Sequence, residues 1–297
     1  MKTKELFLSL PEIFSWDECL RYLDRGFNDC LFRMDGRAVT RLLSVNGKNL
    51  LLRVTEQNGQ LHISCLNENL TAADVAAVRS YMTDWFDLDR DIAPFYKLLK
   101  ANKQLSFMAK NYAGLRMAGI PDMHEALCWC IIGQQINLAF AHTLKRRLTE
   151  QYGASLEYEG QVYYTFPSPE TLAGLTVDEL KQLQFSTRKA EYVIGVSQLM
   201  AAGELTKEQL QQLSGYEAQI AALVKVRGIG LWTANYVLMK TFGRMQSITY
   251  GDAGLNKALQ NIAGFGKNPS AQQVDGYFRP FKGWEAYLVF YFWRTLS

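Results

Sequence analysis

The sequence predicts an α+β chain in two parts. A small antiparallel sheet with helices occupies residues 1–88, and a larger all-helical domain occupies residues 89–297. Three observations carry this. Short alternating runs separated by Asn-Gly and Asp-Gly fill the first part, helical periodicity with capping residues recurs through the second, and 297 residues suffice for two domains.

Residues 16–25 have the periodicity of a helix. Four β-rich runs follow at 30–34, 38–45, 50–55 and 61–66, separated by Asp35-Gly36, Asn46-Gly47 and Asn58-Gly59. Such dipeptides between alternating runs mark hairpins, because both turn positions take positive φ. Thr71 then caps a helix running to about Asp84. The character changes near residues 87–91. Beyond them, helices are expected at 92–101, 123–132, 138–151, 169–173, 177–183, 186–202, 207–212, 216–225, 231–242, 252–262, 271–281 and 283–294. Only residues 161–166 interrupt, as an insertion loop or a ribbon.

A net charge of +3, with 48% hydrophobic and 21% charged residues, is ordinary for a soluble globular protein. It supports a polyanionic partner mildly, and only if the basic residues gather on one face. The five cysteines (Cys19, Cys30, Cys65, Cys128 and Cys130) form no regular framework and no secretory leader is evident, so a reducing cytoplasmic compartment is expected. With no cysteine after Cys130, the C-terminal half holds no four-cysteine iron–sulfur centre. His62, His124 and His142 are too scattered for a zinc motif. No apolar stretch is long and charge-free enough to cross a membrane.

The most informative stretch is Val226-Arg227-Gly228-Ile229-Gly230-Leu231-Trp232-Thr233-Ala234-Asn235-Tyr236. One helix runs into a turn with glycines two apart and a second helix starts at once. Glycine permits positive φ and close backbone approach. The first amides of the second helix are then free for an anion such as a DNA phosphate. A tight corner between two helices accounts for the same glycines. Further on, Gly251-Asp252-Ala253-Gly254-Leu255 places a carboxylate at a helix start, where it serves as an N-cap or faces a cleft.

These segments resemble the helix–hairpin–helix DNA glycosylase superfamily, whose hairpin reads hydrophobic-Pro-Gly-hydrophobic-Gly, followed by Thr-Ala and then an aspartate after a glycine/proline-rich loop. Arg227 stands where the proline is usual, which loosens the hairpin slightly but adds a phosphate-compatible charge. Gly251-Asp252-x-Gly254-Leu255 is similar to the AlkA-type branch, the alkylpurine glycosylases. The likeness includes Tyr112-Ala113-Gly114-Leu115-Arg116, Ile132-Gly133-Gln134-Gln135-Ile136, Phe166-Pro167-Ser168-Pro169-Glu170-Thr171-Leu172 and the final helix from Trp284 to Trp293, spanning most of residues 87–297.

The resemblance implies a helix–hairpin–helix glycosylase domain that removes alkylated purines of the 3-methyladenine type from damaged double-stranded DNA. Asp252 would stabilise the cationic sugar as the N-glycosidic bond breaks. Members that also cut the strand carry a nucleophilic lysine where this chain has Trp232, so base removal without lyase activity is expected. Trp232, Tyr236 and Trp293 would line the base pocket, where electron-rich rings attract a cationic base by up to about 2 kcal/mol; as ordinary core residues they would need no such role. Base extrusion implies a wedge, and Gln135 is the candidate, with Gln134 and Ile136 beside it; Asn137 also reads as an N-cap. DNA contacts are expected at Arg227, Gly228, Ile229, Gly230 and Thr233. Lys145, Arg146 and Arg147, and Ser186, Arg188 and Lys189, are further basic or polar candidates for phosphates. No organic cofactor is implied. The family suggests a Na+ or K+ ion held by the backbone carbonyls of Val224, Val226 and Ile229. A monomer acting on nucleoid DNA in the cytoplasm is expected, with no membrane partner.

Two other readings stay open. An oxidised-purine glycosylase would share the fold, with Trp232 against it. A non-catalytic DNA-damage-binding module would share the hairpin, with Asp252 and its glycine neighbours against it.

Overall fold

The computed structural model describes residues 2–24, 26–27 and 29–296. Its first part contains β1 (Glu5–Ser9), α1 (Trp16–Leu23), β2 (Phe32–Asp35), β3 (Ala38–Val45), β4 (Lys48–Gln57), β5 (Gln60–Cys65) and α2 (Ala72–Phe86). The strands form one antiparallel sheet in the order β1-β5-β4-β3-β2. The expected helix end at Arg25 lies outside the described residues.

Asn46 and Gly47 have φ of 50° and 75°, and Asn58 and Gly59 have 52° and 73°, the paired positive values that a two-residue hairpin turn of this type needs. At the first hairpin the turn residues are Gly36 and Arg37, one step beyond the expected Asp35-Gly36, because Asp35 pairs with Ala38 inside the ladder. β1 has no counterpart in the sequence prediction. It buries only Leu6 and Leu8 and pairs with a strand far along the chain, so no adjoining turn marks it. α2 starts at a capping box made by Thr71 and Asp74.

The rest of the chain is α3 (Ala93–Ala101), α4 (Ser106–Asn111), α5 (Met123–Gly133), α6 (Leu138–Tyr152), β6 (Ser155–Tyr158), β7 (Gln161–Tyr164), α7 (Pro169–Ala173), α8 (Val177–Gln182), α9 (Thr187–Ala201), α10 (Lys207–Gln212), α11 (Tyr216–Val224), α12 (Leu231–Phe242), α13 (Ala253–Ala263), α14 (Ala271–Phe278) and α15 (Glu285–Arg294). The interruption after α6 is a two-stranded ribbon, so this part is mostly rather than wholly helical. α4 was not expected: it is short and no side chain caps its start. α14 stops before the expected Phe281 and passes into a 3-10 turn, Arg279–Phe281, where Pro280 has no amide to donate.

Among the described residues, three cores hold the molecule. The first lies between the sheet, α1 and α2, around Val39, Leu50, Val54, Leu61, Val78 and Met82. The second is built from α5 to α12, around Leu127, Ile131, Leu144, Val193, Leu223 and Val237. The third gathers α3, α4 and α13 to α15, with Tyr22 of α1 joining it. α15 is the axis of the third core: every residue from Ala286 to Phe292 is inaccessible to solvent, the mark of a helix apolar on all sides.

A buried chain of charges ties the sheet to the second core. Arg41 of β3 donates to Glu125 of α5 at 2.8 Å, and Lys145 of α6 lies 3.0 Å from Glu125 and 3.2 Å from Asp29. Burial alone would push the Asp29 carboxyl up, but the Lys145 ammonium and the Leu31 amide outweigh it and hold the group down at about 2. Lys145 is thus committed inside, and the expectation that it approaches phosphate is overturned.

Candidate active site

The hairpin forms as its glycines require. Past α11, the amide of Val226 donates to Leu223 at 3.1 Å and that of Ile229 to Val226 at 3.0 Å. Gly228 sits at φ 93°, and a Cβ there would fall 2.5 Å from the Tyr192 ring of α9. Glycine is therefore needed twice over, for conformation and for space. Gly230 caps α12 without a side chain, so no side chain of the cap answers the first amides of α12. Ile229 and Thr233 are 5% and 2% exposed, so their side chains face inward, and the Ile229 amide is taken by the Val226 carbonyl. Arg227 is exposed, paired with Glu191 at 2.7 Å and laid over Tyr192.

Asp252 ends the turn that follows. Gly251 takes φ 77°, the Asp252 amide donates to Thr249 at 3.1 Å, and the Asp252 side chain caps α13 by accepting the Leu255 amide at 2.7 Å. The cap accounts for part of one oxygen only. Oδ1 also accepts the indole N–H of Trp293 at 2.8 Å, and Oδ2 accepts that of Trp232 at 3.3 Å. The carboxylate is half-buried. Among the described residues, it is oriented by three N–H donors, and Oδ2 holds one long bond. The N-cap reading therefore holds, and the carboxylate has two indole partners besides the cap.

Trp232 stacks on Tyr236 with centroids 5.2 Å apart, and Tyr236 lies 5.9 Å from Trp293. Trp232 packs against the second core and Trp293 against the third, while Tyr236 belongs to both. The three rings and the carboxylate thus occupy the seam between two cores. Gly254 is part of the fit, since a Cβ there would stand 3.1 Å from Asp252 Oδ1 and 3.2 Å from Trp293 Cδ1. A recess of about 100 Å³ is also lined by Tyr236, with Trp129, His142 and Lys240. A larger one of about 380 Å³ lies at the other end of α12, beside Gly243 and remote from the hairpin.

Gln134, just past α5, donates to the Gly228 carbonyl at 3.0 Å. Gln135 is exposed at φ 56°, and Ile136 packs against the second core. Asn137 caps α6. Among the other basic candidates, Arg146 pairs with Glu150 at 3.7 Å and Arg147 bonds Gln184 at 2.5 Å. Ser186 caps α9, and the Lys189 ammonium goes to the Ile132 carbonyl at 2.7 Å. Asn235 is the residue that sequence reasoning passed over. Buried in α12, it accepts from the Tyr216 hydroxyl and from the Ile248 amide at 3.2 Å, and donates to Leu231 at 2.9 Å. It fastens the loop that delivers Asp252, and its place right after Thr233-Ala234 was the only signal.

Residues 128–282 match the family described as HhH-GPD superfamily base excision DNA repair protein. The chain belongs to this superfamily. Residues 11–127 match the 8-oxoguanine DNA glycosylase N-terminal domain, so the HhH-GPD chain carries its sheet ahead of the helical part. It is 37% identical to DNA-3-methyladenine glycosylase of Bacillus subtilis (strain 168), over 98% of this chain and 97% of that one. It is 29% identical to DNA-3-methyladenine glycosylase 2 of Escherichia coli (strain K12), over 61% of each. The fold is that of the 3-methyladenine DNA glycosylase from Archaeoglobus fulgidus, with a TM-score of 0.83, 21% identity and 97% of both chains covered. With these relatives, the HhH-GPD chain is a DNA glycosylase of base excision repair.

Proposed function

We propose that this protein removes alkylated purines of the 3-methyladenine type from duplex DNA by hydrolysis, acting as a monomer on nucleoid DNA in the cytoplasm and without cutting the strand. One observation carries the reading: the Asp252 carboxylate is held by two indole N–H groups at the seam beside the hairpin. The hairpin amides would grip a phosphate of the lesion strand while Gln135 fills the gap left by the everted nucleotide. With the deoxyribose above Oδ2, the carboxylate favours the positive charge that develops on the sugar, and the ring faces of Trp232, Tyr236 and Trp293 favour a cationic base. The curated relatives named for 3-methyladenine support this substrate class.

The indole of Trp232 is no amine, and Lys240, two turns further along α12, bonds the Ala118 carbonyl. This supports hydrolysis without a Schiff base. The carbonyl oxygens of Val224, Val226 and Ile229 are neutral donors of the kind that suits Na+ or K+, and that of Val226 keeps a lone pair beyond the one taken by the Ile229 amide. Such an ion would add fixed positive charge beside the phosphate.

Release of free 3-methyladenine from a methylated duplex tests the proposal. Asp252→Asn should lower release by about a hundredfold or more while DNA binding survives; full activity in that variant rejects the role of Asp252. The match of residues 11–127 favours a second reading, excision of an oxidised purine. Borohydride trapping on an 8-oxoguanine duplex separates the two, since a covalent adduct needs an amine.

A further inference from the structure

α9 touches both the extrusion loop and the hairpin within its first turn and a half. The Lys189 Nζ donates to the carbonyl oxygen of Ile132 at 2.7 Å. That oxygen lies in the last turn of α5, where carbonyls lack helical partners and the helix dipole is negative. Burial lowers the Lys189 pKa from its usual value, which fits an ammonium drawn out of bulk water. Two residues on, Glu191 holds Arg227 at 2.7 Å, and Tyr192 occupies the space that a side chain at Gly228 would need. Gln134 closes the circuit from the other direction with its 3.0 Å bond to the Gly228 carbonyl. The next residue is the exposed Gln135, in the left-handed region at φ 56°.

We propose that Lys189 is a positioning residue: by holding the end of α5, it fixes the height of Gln135 relative to the phosphate-binding amides of the hairpin. Bases follow one another about every 3.4 Å along a strand. A loop slack by one or two ångströms, on the order of half that spacing, would press Gln135 against a base instead of entering the gap. The neutral Gln134 bond is the weaker of the two ties, since a charged donor makes a hydrogen bond roughly twice as strong. The inference rests on the base-extruding reading above, and it reverses the sequence expectation that Lys189 meets a phosphate.

The test uses a duplex with 2-aminopurine at the target position, whose fluorescence rises when the base unstacks, alongside binding at several salt concentrations and single-turnover release of 3-methyladenine. Lys189→Met keeps the apolar stem and removes the donor. It should bind with an unchanged salt slope, show a smaller fluorescence rise and release base about tenfold more slowly. Lys189→Arg, which keeps a cation, should recover most of the loss. A lysine on a phosphate would behave differently, with the slope of log K against log salt falling by about 0.9. A reduced slope, or full fluorescence in Lys189→Met, overturns the proposal. Should Lys189→Met fail to fold, Lys189→Gln, which removes the charged donor but stays polar, is expected to give the same signature, and normal extrusion there overturns it equally. The wild-type arm separates the two ideas. Base release by wild type with normal extrusion in the variants rejects the tie alone, whereas a wild type that neither extrudes nor releases rejects the functional reading and the tie with it.

Discussion

Gly254→Ala should slow the reaction while leaving the fold as stable as before or more so. Gly254 is the second residue of α13 and does not take a left-handed φ, so alanine meets no backbone strain. In a helix interior alanine is favoured over glycine by up to about 1 kcal/mol. The new methyl, however, would stand 3.1 Å from Asp252 Oδ1 and 3.2 Å from Trp293 Cδ1. Ordinary contact demands that carboxylate or indole retreat by about 0.3 Å. A misplacement of about 1 Å costs on the order of a hundredfold in rate, so 0.3 Å scales to roughly fourfold. Single-turnover base release and thermal melting should be measured on the same preparation. An unchanged rate with an unchanged melting temperature would refute the claim that the carboxylate–indole geometry limits the reaction. A lower melting temperature would show that the methyl is accommodated by loosening α13 instead.

Gly228→Ala should fail at both requirements of its position, with roughly 1–2 kcal/mol for the left-handed backbone and more for the overlap with Tyr192; denaturant melts and binding to undamaged duplex should both fall, and a variant that keeps both rejects the hairpin geometry. The Asp29 carboxyl sits at about 2 in the folded protein, against about 4 when unfolded. A lowered folded value means stability that is present above pH 4 and lost as pH falls toward 2, amounting to about 2 kcal/mol. Melting from pH 5 to 2 should show that loss in the wild type and much less of it in Asp29→Asn.

The two-part architecture and most helices were legible because their signals are local. Asn-Gly turns, capping residues and apolar periodicity need only a few neighbouring residues. β1 and α4 escaped for the opposite reason, one paired with a remote strand and the other without a capping side chain to mark its start. At the site, Asp252 and the hairpin glycines could be read because their backbone requirements leave a mark in residue type. The aromatic trio could be named, but not the fact that two of its indoles donate to Asp252, since nothing in the spacing of Trp232 and Trp293 encodes a shared acceptor. Lys145 and Lys189 show the limit most clearly. A lysine reads alike whether it meets solvent, a buried carboxylate or a helix end, and only the surrounding fold distinguishes them.

The Asp252 carboxylate rides on one packed body and its partner indole, Trp232, on another, with the Tyr236 ring as the hinge pin common to both. The alignment of carboxylate and indole is therefore inherited from how two packed cores settle against each other. A mutation anywhere along that junction can detune the enzyme without touching a single group that meets DNA.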